Sequence, residues 1–248
     1  MSRKYLHNVI YVVRLGESYQ IKYLSSVRSS SFDTDSDIAL PLLAASKKNL
    51  NKLNNNISRA LTVCREIALS NPWDYFVTLT LDPKKYNRFD LDTFHKDFSK
   101  FIKRLNRSYS IKIHYLVVPE RHKNGSWHMH GLFYGLPDFL LSSNSNGFLD
   151  FPLYSQHFGF CSISPVRDSI AVSLYITKHL GKQIHNGVVD VGQHLYYRSR
   201  GLSRGVLVSV LREVDLPPDF NFQYVSSDGL YKSSFFEDGS FLSSLGLI

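Results

Sequence analysis

Ile111–Tyr134 reads IKIHYLVVPERHKNGSWHMHGLFY, and its punctuation decides the fold. Asn124-Gly125 is a tight-turn signal between two runs rich in β-branched and aromatic residues, Ile111 to Val118 and Trp127 to Tyr134. The segment is therefore expected to form an antiparallel hairpin. Along a strand, residues i and i+2 share a face. His128 and His130 then project together, while Trp127 and Met129 point to the opposite, core-facing side. Two imidazoles at this spacing, roughly 6–7 Å apart at Cα, can chelate one divalent cation. Glu120, at the end of the first strand, lies across the turn from the pair. It can complete a set of two histidines and one carboxylate with open positions. Nitrogen and oxygen ligands of this kind suit Mg²⁺ or Mn²⁺ better than a closed zinc site, which usually draws on cysteine. His122 and His114 are alternative third ligands, and an isolated H-x-H pair also fits surface or packing histidines.

Outward from the hairpin, Tyr75 to Leu81 reads as a strand, with Thr78 and Thr80 on one face and Val77, Leu79 and Leu81 on the other. Leu91, Phe94, Phe98, Phe101, Ile102 and Leu105 recur at helical spacing behind Asp90, a good N-cap. Residues 137–157 read as a mixed connection, 158–164 as a fourth strand and Ser169 to Ile184 as a helix. The order is β-α-β-β-connection-β-α. It predicts an α+β fold, an antiparallel sheet with helices packed on one face. On the last helix Tyr175 and Lys178 are i and i+3 and share a face. A phenol becomes a useful nucleophile when a cation or metal favours its anion, and Lys178 can supply that help or stabilise charge on a phosphate. An ordinary amphipathic helix accounts for the same pair.

Three features stand in order: Phe76-Val77-Thr78-Leu79-Thr80, then Glu120 with His128-Met129-His130, then Tyr175-Ile176-Thr177-Lys178. Together they resemble the three motifs of the HUH endonuclease superfamily, and more narrowly a single-tyrosine rolling-circle replication initiator (Rep) of the phage and plasmid type. Tyr196 to Leu202 also resembles a stretch that follows the tyrosine helix in phage-type initiators. The resemblance runs from about Trp73 to Leu202. It implies an HUH/RRM-like sheet related to the ferredoxin-like folds, with a divalent metal (Mg²⁺ or Mn²⁺) held by His128, His130 and Glu120. It implies Tyr175 as the nucleophile toward single-stranded DNA at a replication origin, a 5′-phosphotyrosine intermediate, and Lys178 as its catalytic helper. A host helicase is a further partner to expect. Neither a second tyrosine at helical spacing nor a Walker-type phosphate loop accompanies Tyr175, so one-tyrosine chemistry without a fused helicase is expected.

Charge agrees with a polyanion partner. Lys and Arg number 29 against 21 Asp and Glu, a net +8 over 248 residues. Between Lys84 and Lys123 there are eleven basic against four acidic residues, so most of the excess is local. Lys96, Lys100, Lys103, Arg104 and Arg107 on the 90–107 helix, with Arg198 and Arg200 later, are the expected DNA-binding residues; a solvated helix face is the plainer reading of the first group. An apolar content of 43% excludes a disordered chain. No apolar run is long enough to span a bilayer, the first residues lack a leader-like apolar segment, and Cys64 and Cys161 suggest no disulfide framework. A cytoplasmic protein of a bacterial or archaeal host cell, without a membrane partner, is expected. Three parts are expected: 1–70 as a hairpin around Gly16 plus a helix, 71–205 as the nuclease domain, and 206–248 as an extension with a hairpin near Asp228-Gly229. The alternatives are a single-tyrosine relaxase or transposase, and a non-catalytic module that binds single-stranded nucleic acid on its sheet.

Overall fold

The computed structural model describes residues 5–28, 50–143, 149–185, 194–226 and 228–248. In chain order the first elements are β1 (Tyr5–Leu15), β2 (Ser18–Arg28), α1 (Leu50–Leu69), β3 (Tyr75–Thr80), α2 (Leu91–Ser108), β4 (His114–Arg121) and β5 (Trp127–Tyr134). Then come β6 (Ser142–Ser143), β7 (Leu149–Asp150), α3 (Pro152–His157), β8 (Cys161–Pro165), α4 (Ser169–His185) and β9 (Tyr197–Arg198). The last are β10 (Val206–Arg212), β11 (Tyr224–Val225), β12 (Tyr231–Phe236) and α5 (Ser240–Ser244). Two compact units result: Ala60–Ser203, and Met1–Arg59 together with Arg204–Ile248.

The fold class is the expected α+β, built on antiparallel sheets. In the unit of residues 60–203 the strand order is β6-β7-β8-β3-β5-β4-β9. The hairpin read from Asn124-Gly125 forms between β4 and β5, with Glu120 opposite His128 and Val118 opposite His130. β3 lies on the other side of β5, with Thr80 opposite His128 and Thr78 opposite His130.

Helices cover both faces of this sheet rather than one. On one face, Leu91, Phe94, Phe98, Phe101, Ile102 and Leu105 of α2 are buried against Val77, Leu79, Val117, Met129 and Phe133. Each large side chain removed from water there contributes about 1.5–3 kcal/mol. Asp90 caps α2 as its sequence suggests, accepting from the Thr93 amide at 3.0 Å. On the other face, Cys64, Ile67 and Ala68 of α1 and Ile176 and Leu180 of α4 pack on Leu116, Val118 and Leu132. The reason lies in β4, where every residue from His114 to Pro119 is buried. A strand apolar on both sides must be covered on both sides.

Two boundaries differ from the spacing. β4 begins at His114, not Ile111, because the end of α2 takes up the preceding backbone: Asn106 accepts the amides of Ile111 (3.1 Å, main chain) and Ile113 (2.9 Å, side chain). β8 begins at Cys161 because Phe158 closes α3, its amide bonding to the Tyr154 carbonyl at 2.8 Å. The connection between β5 and β8 contains α3 and two two-residue strands. α1 ends before Asn71-Pro72 as expected, with the Asn71 side chain donating to the Ile67 carbonyl at 2.7 Å and the Trp73 indole to that of Ala68 at 2.7 Å.

The second unit carries a sheet of order β10-β1-β2-β12-β11. β1 and β2 form the hairpin around Gly16, whose φ is +64°, and β2 continues to Arg28 where composition suggests a loop over 25–37. The rest of that loop, and residues 40–49 of a helix expected to run from 40 to 69, lie outside the described residues. β11 and β12 form the hairpin at Asp228-Gly229. β1 also pairs with β10 and β2 with β12, so strands from both ends of the chain share this sheet. Ile10, Val12, Ile21, Leu242 and Leu247 form its core.

Cys64 and Cys161 are buried free thiols, and they belong to clusters on opposite faces of the first sheet. Burial pushes the Cys64 thiol up to about 12. Among the described residues no helix is long and apolar enough to cross a membrane.

Candidate active site

Sheet register brings Glu120, His128 and Thr80 into one row across β4, β5 and β3, with Val118, His130 and Thr78 in the next. Directly paired residues face the same way. The carboxylate and both imidazoles therefore emerge on the face that carries α1 and α4. His128 Nε2 lies 2.9 Å from His130 Nε2 and 3.3 Å from Glu120 Oε2, and His130 Nε2 lies 2.8 Å from the same oxygen. Among the described residues this is the group of three donors able to hold a metal ion.

The triangle fits a cation. Bonds of about 2.1 Å at right angles put neighbouring ligands about 3 Å apart, which matches these edges. The donors also match: two neutral imidazoles and one carboxylate form a mixed nitrogen–oxygen set open to water and substrate oxygens. Burial, and then the adjoining His130 and His122 rings, hold the His128 pKa down to about 4 against the opposing pull of Glu120. A neutral ring at physiological pH is the form that binds metal. His130 Nδ1 lies 3.1 Å from Thr78 Oγ1. With the proton on Nδ1, donated to that hydroxyl, Nε2 keeps its lone pair for a cation. The His122 ring packs at 4.1 Å from that of His128, whereas His114 stacks at 4.4 Å on Tyr134 at the other end of β4. Of the alternative third ligands, then, His122 borders the group and His114 stands away from it.

Tyr175 reaches the same face through the docking of α4. Ser173 donates to the Ala68 carbonyl at 2.6 Å, and Ile176 and Leu180 are buried beneath the helix. This leaves Tyr175 outward and 49% exposed. Its ring meets Phe76 edge-on at 5.5 Å, and Phe76 stacks on His130 at 5.7 Å. Phe76 thus links the tyrosine to the histidine pair. Lys178 is exposed one turn further along α4.

The basic residues are not gathered in one place. Lys96, Lys100, Lys103, Arg104 and Arg107 are exposed on α2, on the opposite face of the sheet from Glu120, His128 and His130. Lys100 is paired with Asp97 at 3.2 Å. Arg198 is opposite Leu116 on the edge strand β9, so it shares the face of the three donors. Leu116 is four residues before Glu120, about 13 Å along the strand. Arg200 is exposed just beyond β9.

Spacing alone does not reveal the contacts of Phe76 and Thr78. Alternation puts Phe76, Thr78 and Thr80 on one face, but the sequence does not say that β3 pairs with β5 from more than forty residues away.

Residues 74–184 match a family model for replication-associated proteins of the ORF2 type. The match covers under half of the chain and includes β3, the three metal-capable residues, Tyr175 and Lys178. It supports a replication-associated protein of Rep type. No curated protein and no solved structure matches the chain.

Proposed function

We propose that this protein is a site-specific endonuclease that nicks and rejoins single-stranded DNA to initiate rolling-circle replication through a 5′-phosphotyrosine. The observation that carries the reading is the chain of contacts from Glu120 and His128 to His130, Phe76 and Tyr175 on one sheet face. It sets a candidate nucleophile beside a metal-capable group. The replication-associated family match over the same residues supports it.

Glu120, His128 and His130 would hold Mg²⁺ or Mn²⁺, and the ion supplies Lewis-acid polarisation of the scissile phosphate. Tyr175 Oη attacks phosphorus, the bond to the 3′-oxygen breaks, and the phenolic proton is balanced by protonation of that leaving oxygen. The strand upstream of the nick ends in a free 3′-hydroxyl that can prime synthesis. The downstream strand stays on Tyr175 by a bond that a later 3′-hydroxyl can attack to rejoin DNA. Lys178, one turn from Tyr175, offsets charge on the phosphoryl oxygens. Phe76 and Thr78 orient the tyrosine and His130. DNA at a replication origin is the partner, with a host helicase as a second one.

The test is incubation with labelled single-stranded origin oligonucleotides and Mn²⁺. The expected product is a covalent protein–DNA adduct that migrates slowly under denaturing conditions. Tyr175→Phe abolishes it, and His128→Ala with His130→Ala abolishes both adduct and Mn²⁺ binding. An adduct that persists in Tyr175→Phe refutes the nucleophile; full cleavage by the double histidine variant refutes the metal.

A further inference from the structure

We infer that Phe160 is a base-stacking residue for single-stranded DNA, set on an open shelf of the sheet beside Glu120, His128 and His130. The inference rests on the proposed DNA substrate and adds a binding residue to it. Phe160 is 65% exposed, more than any other described apolar side chain on this face. The chain holds it there firmly. The Thr80 amide and hydroxyl both donate to the Phe160 carbonyl, at 3.0 and 2.6 Å, which extends the β3–β8 ladder by one pair. Cys161, the next residue, is buried in the α2-side core. By alternation, Phe160 projects to the other side, with Thr80 and His128. The row across the sheet is then Phe160, Thr80, His128, Glu120. Two strand spacings, about 10 Å, separate Phe160 from His128.

Gly159 makes this projection possible. Its φ is +148°, and a Cβ there would lie 2.4 Å from the Asp82 amide nitrogen. Only glycine lets the chain press so closely on the end of β3 before turning Phe160 outward.

The surroundings explain why the ring points to water. Its neighbours on this face are Thr78, Thr80, Ser162 and Ser164, none of them buried, so there is no apolar surface for it to join. A hydroxyl-lined shelf with one flat π surface, next to a phosphate-directed metal group, fits a nucleotide adjoining the bound phosphate. Its base stacks on the ring and its backbone crosses the threonines. Stacking of this kind is tolerant of base identity because every base has a π face.

The test uses the full chain and fluorescein-labelled oligo(dT), with anisotropy measured in EDTA and adduct formation measured separately on origin oligonucleotides with Mn²⁺. Phe160→Ala is expected to weaken oligo(dT) binding about tenfold to a hundredfold. Phe160→Leu, with similar bulk but no π face, behaves like Phe160→Ala, and Phe160→Trp restores affinity with its emission quenched as DNA saturates it. Wild-type affinity in both Phe160→Ala and Phe160→Leu, or unquenched emission in Phe160→Trp, overturns the stacking role while leaving an observed adduct intact. Weakened binding by Phe160→Ala in a wild type that forms no adduct upholds the stacking role and refutes the nicking reaction. A wild type that binds no oligo(dT) refutes stacking.

Discussion

The two faces of the β8-β3-β5-β4 sheet come from the same strands and do opposite things. Toward α2, Val77, Leu79, Val117, Met129 and Phe133 close a dry, aromatic core. Toward α1 and α4, apolar residues are buried only in part of the sheet, and the rest presents Thr78, Thr80, Glu120, His128 and His130. One residue along a strand separates the two environments: Met129 is fully buried between two histidines. The contrast shows how a fold provides chemistry with little loss of stability. The closed face supplies the stability, so the open one can keep polar groups, a bare ring and an exposed tyrosine.

The largest effect that would break this division is on the closed face. Phe98 is completely buried and meets Tyr115 edge-on at 5.1 Å. Phe98→Ala should cost about 3–5 kcal/mol, seen as a lower urea midpoint at unchanged slope, while Mn²⁺ affinity of the folded protein stays the same. A matching loss of metal affinity would mean the faces are coupled. Next in size, Thr78→Val should weaken Mn²⁺ binding about tenfold to a hundredfold in calorimetric titration with little change in stability, since it removes the partner of His130 Nδ1.

A smaller effect is expected with pH. Burial first, and then the charge of Lys112, lower the His114 pKa, opposed by a hydrogen bond to the Arg200 backbone. Its folded value lies below its unfolded value of about 6.5, so the unfolded chain takes up the proton first. The stability from the neutral ring is present above pH 6.5 and is lost as pH falls through the folded value. His114→Gln should flatten that part of the acid dependence in urea melts; an unchanged profile would remove His114 from it. The smallest effect concerns α2. Replacing Lys100, Lys103 and Arg104 together by alanine should weaken DNA binding and lower the slope of log affinity against log salt by up to about 2, but leave the single-turnover nicking rate at saturating DNA unchanged. A fall in that rate would show that the far face reaches the reacting phosphate.

Much of this is legible in the chain itself. The Asn124-Gly125 turn, the alternation through His128-Met129-His130 and the Asp90 cap are local signals, and each appears in the structure where its residues place it. Glu120 is readable as a partner because one hairpin carries both it and the histidines. The start of β4 departs from the spacing because Asn106, on α2, captures the backbone of residues 111–113. Helices on both faces are not legible because the buried pattern of β4 is a continuous apolar run, and such a run does not say what covers it.

The sequence by itself determined the elements, the pairing of β4 with β5 and the common face of the two histidines, because these follow from backbone periodicity and turn chemistry over short distances. Tertiary structure alone decided that β3 inserts between β5 and β8, that Phe76 spans from His130 to Tyr175, that the α2 cations lie behind the sheet, and that strands from the two ends of the chain share one sheet. The physical reason is the same in each case. Alternation says which side chains share a face, but the partner across the ladder is chosen by burial and backbone hydrogen bonding between segments far apart in the chain, and no local pattern encodes that choice.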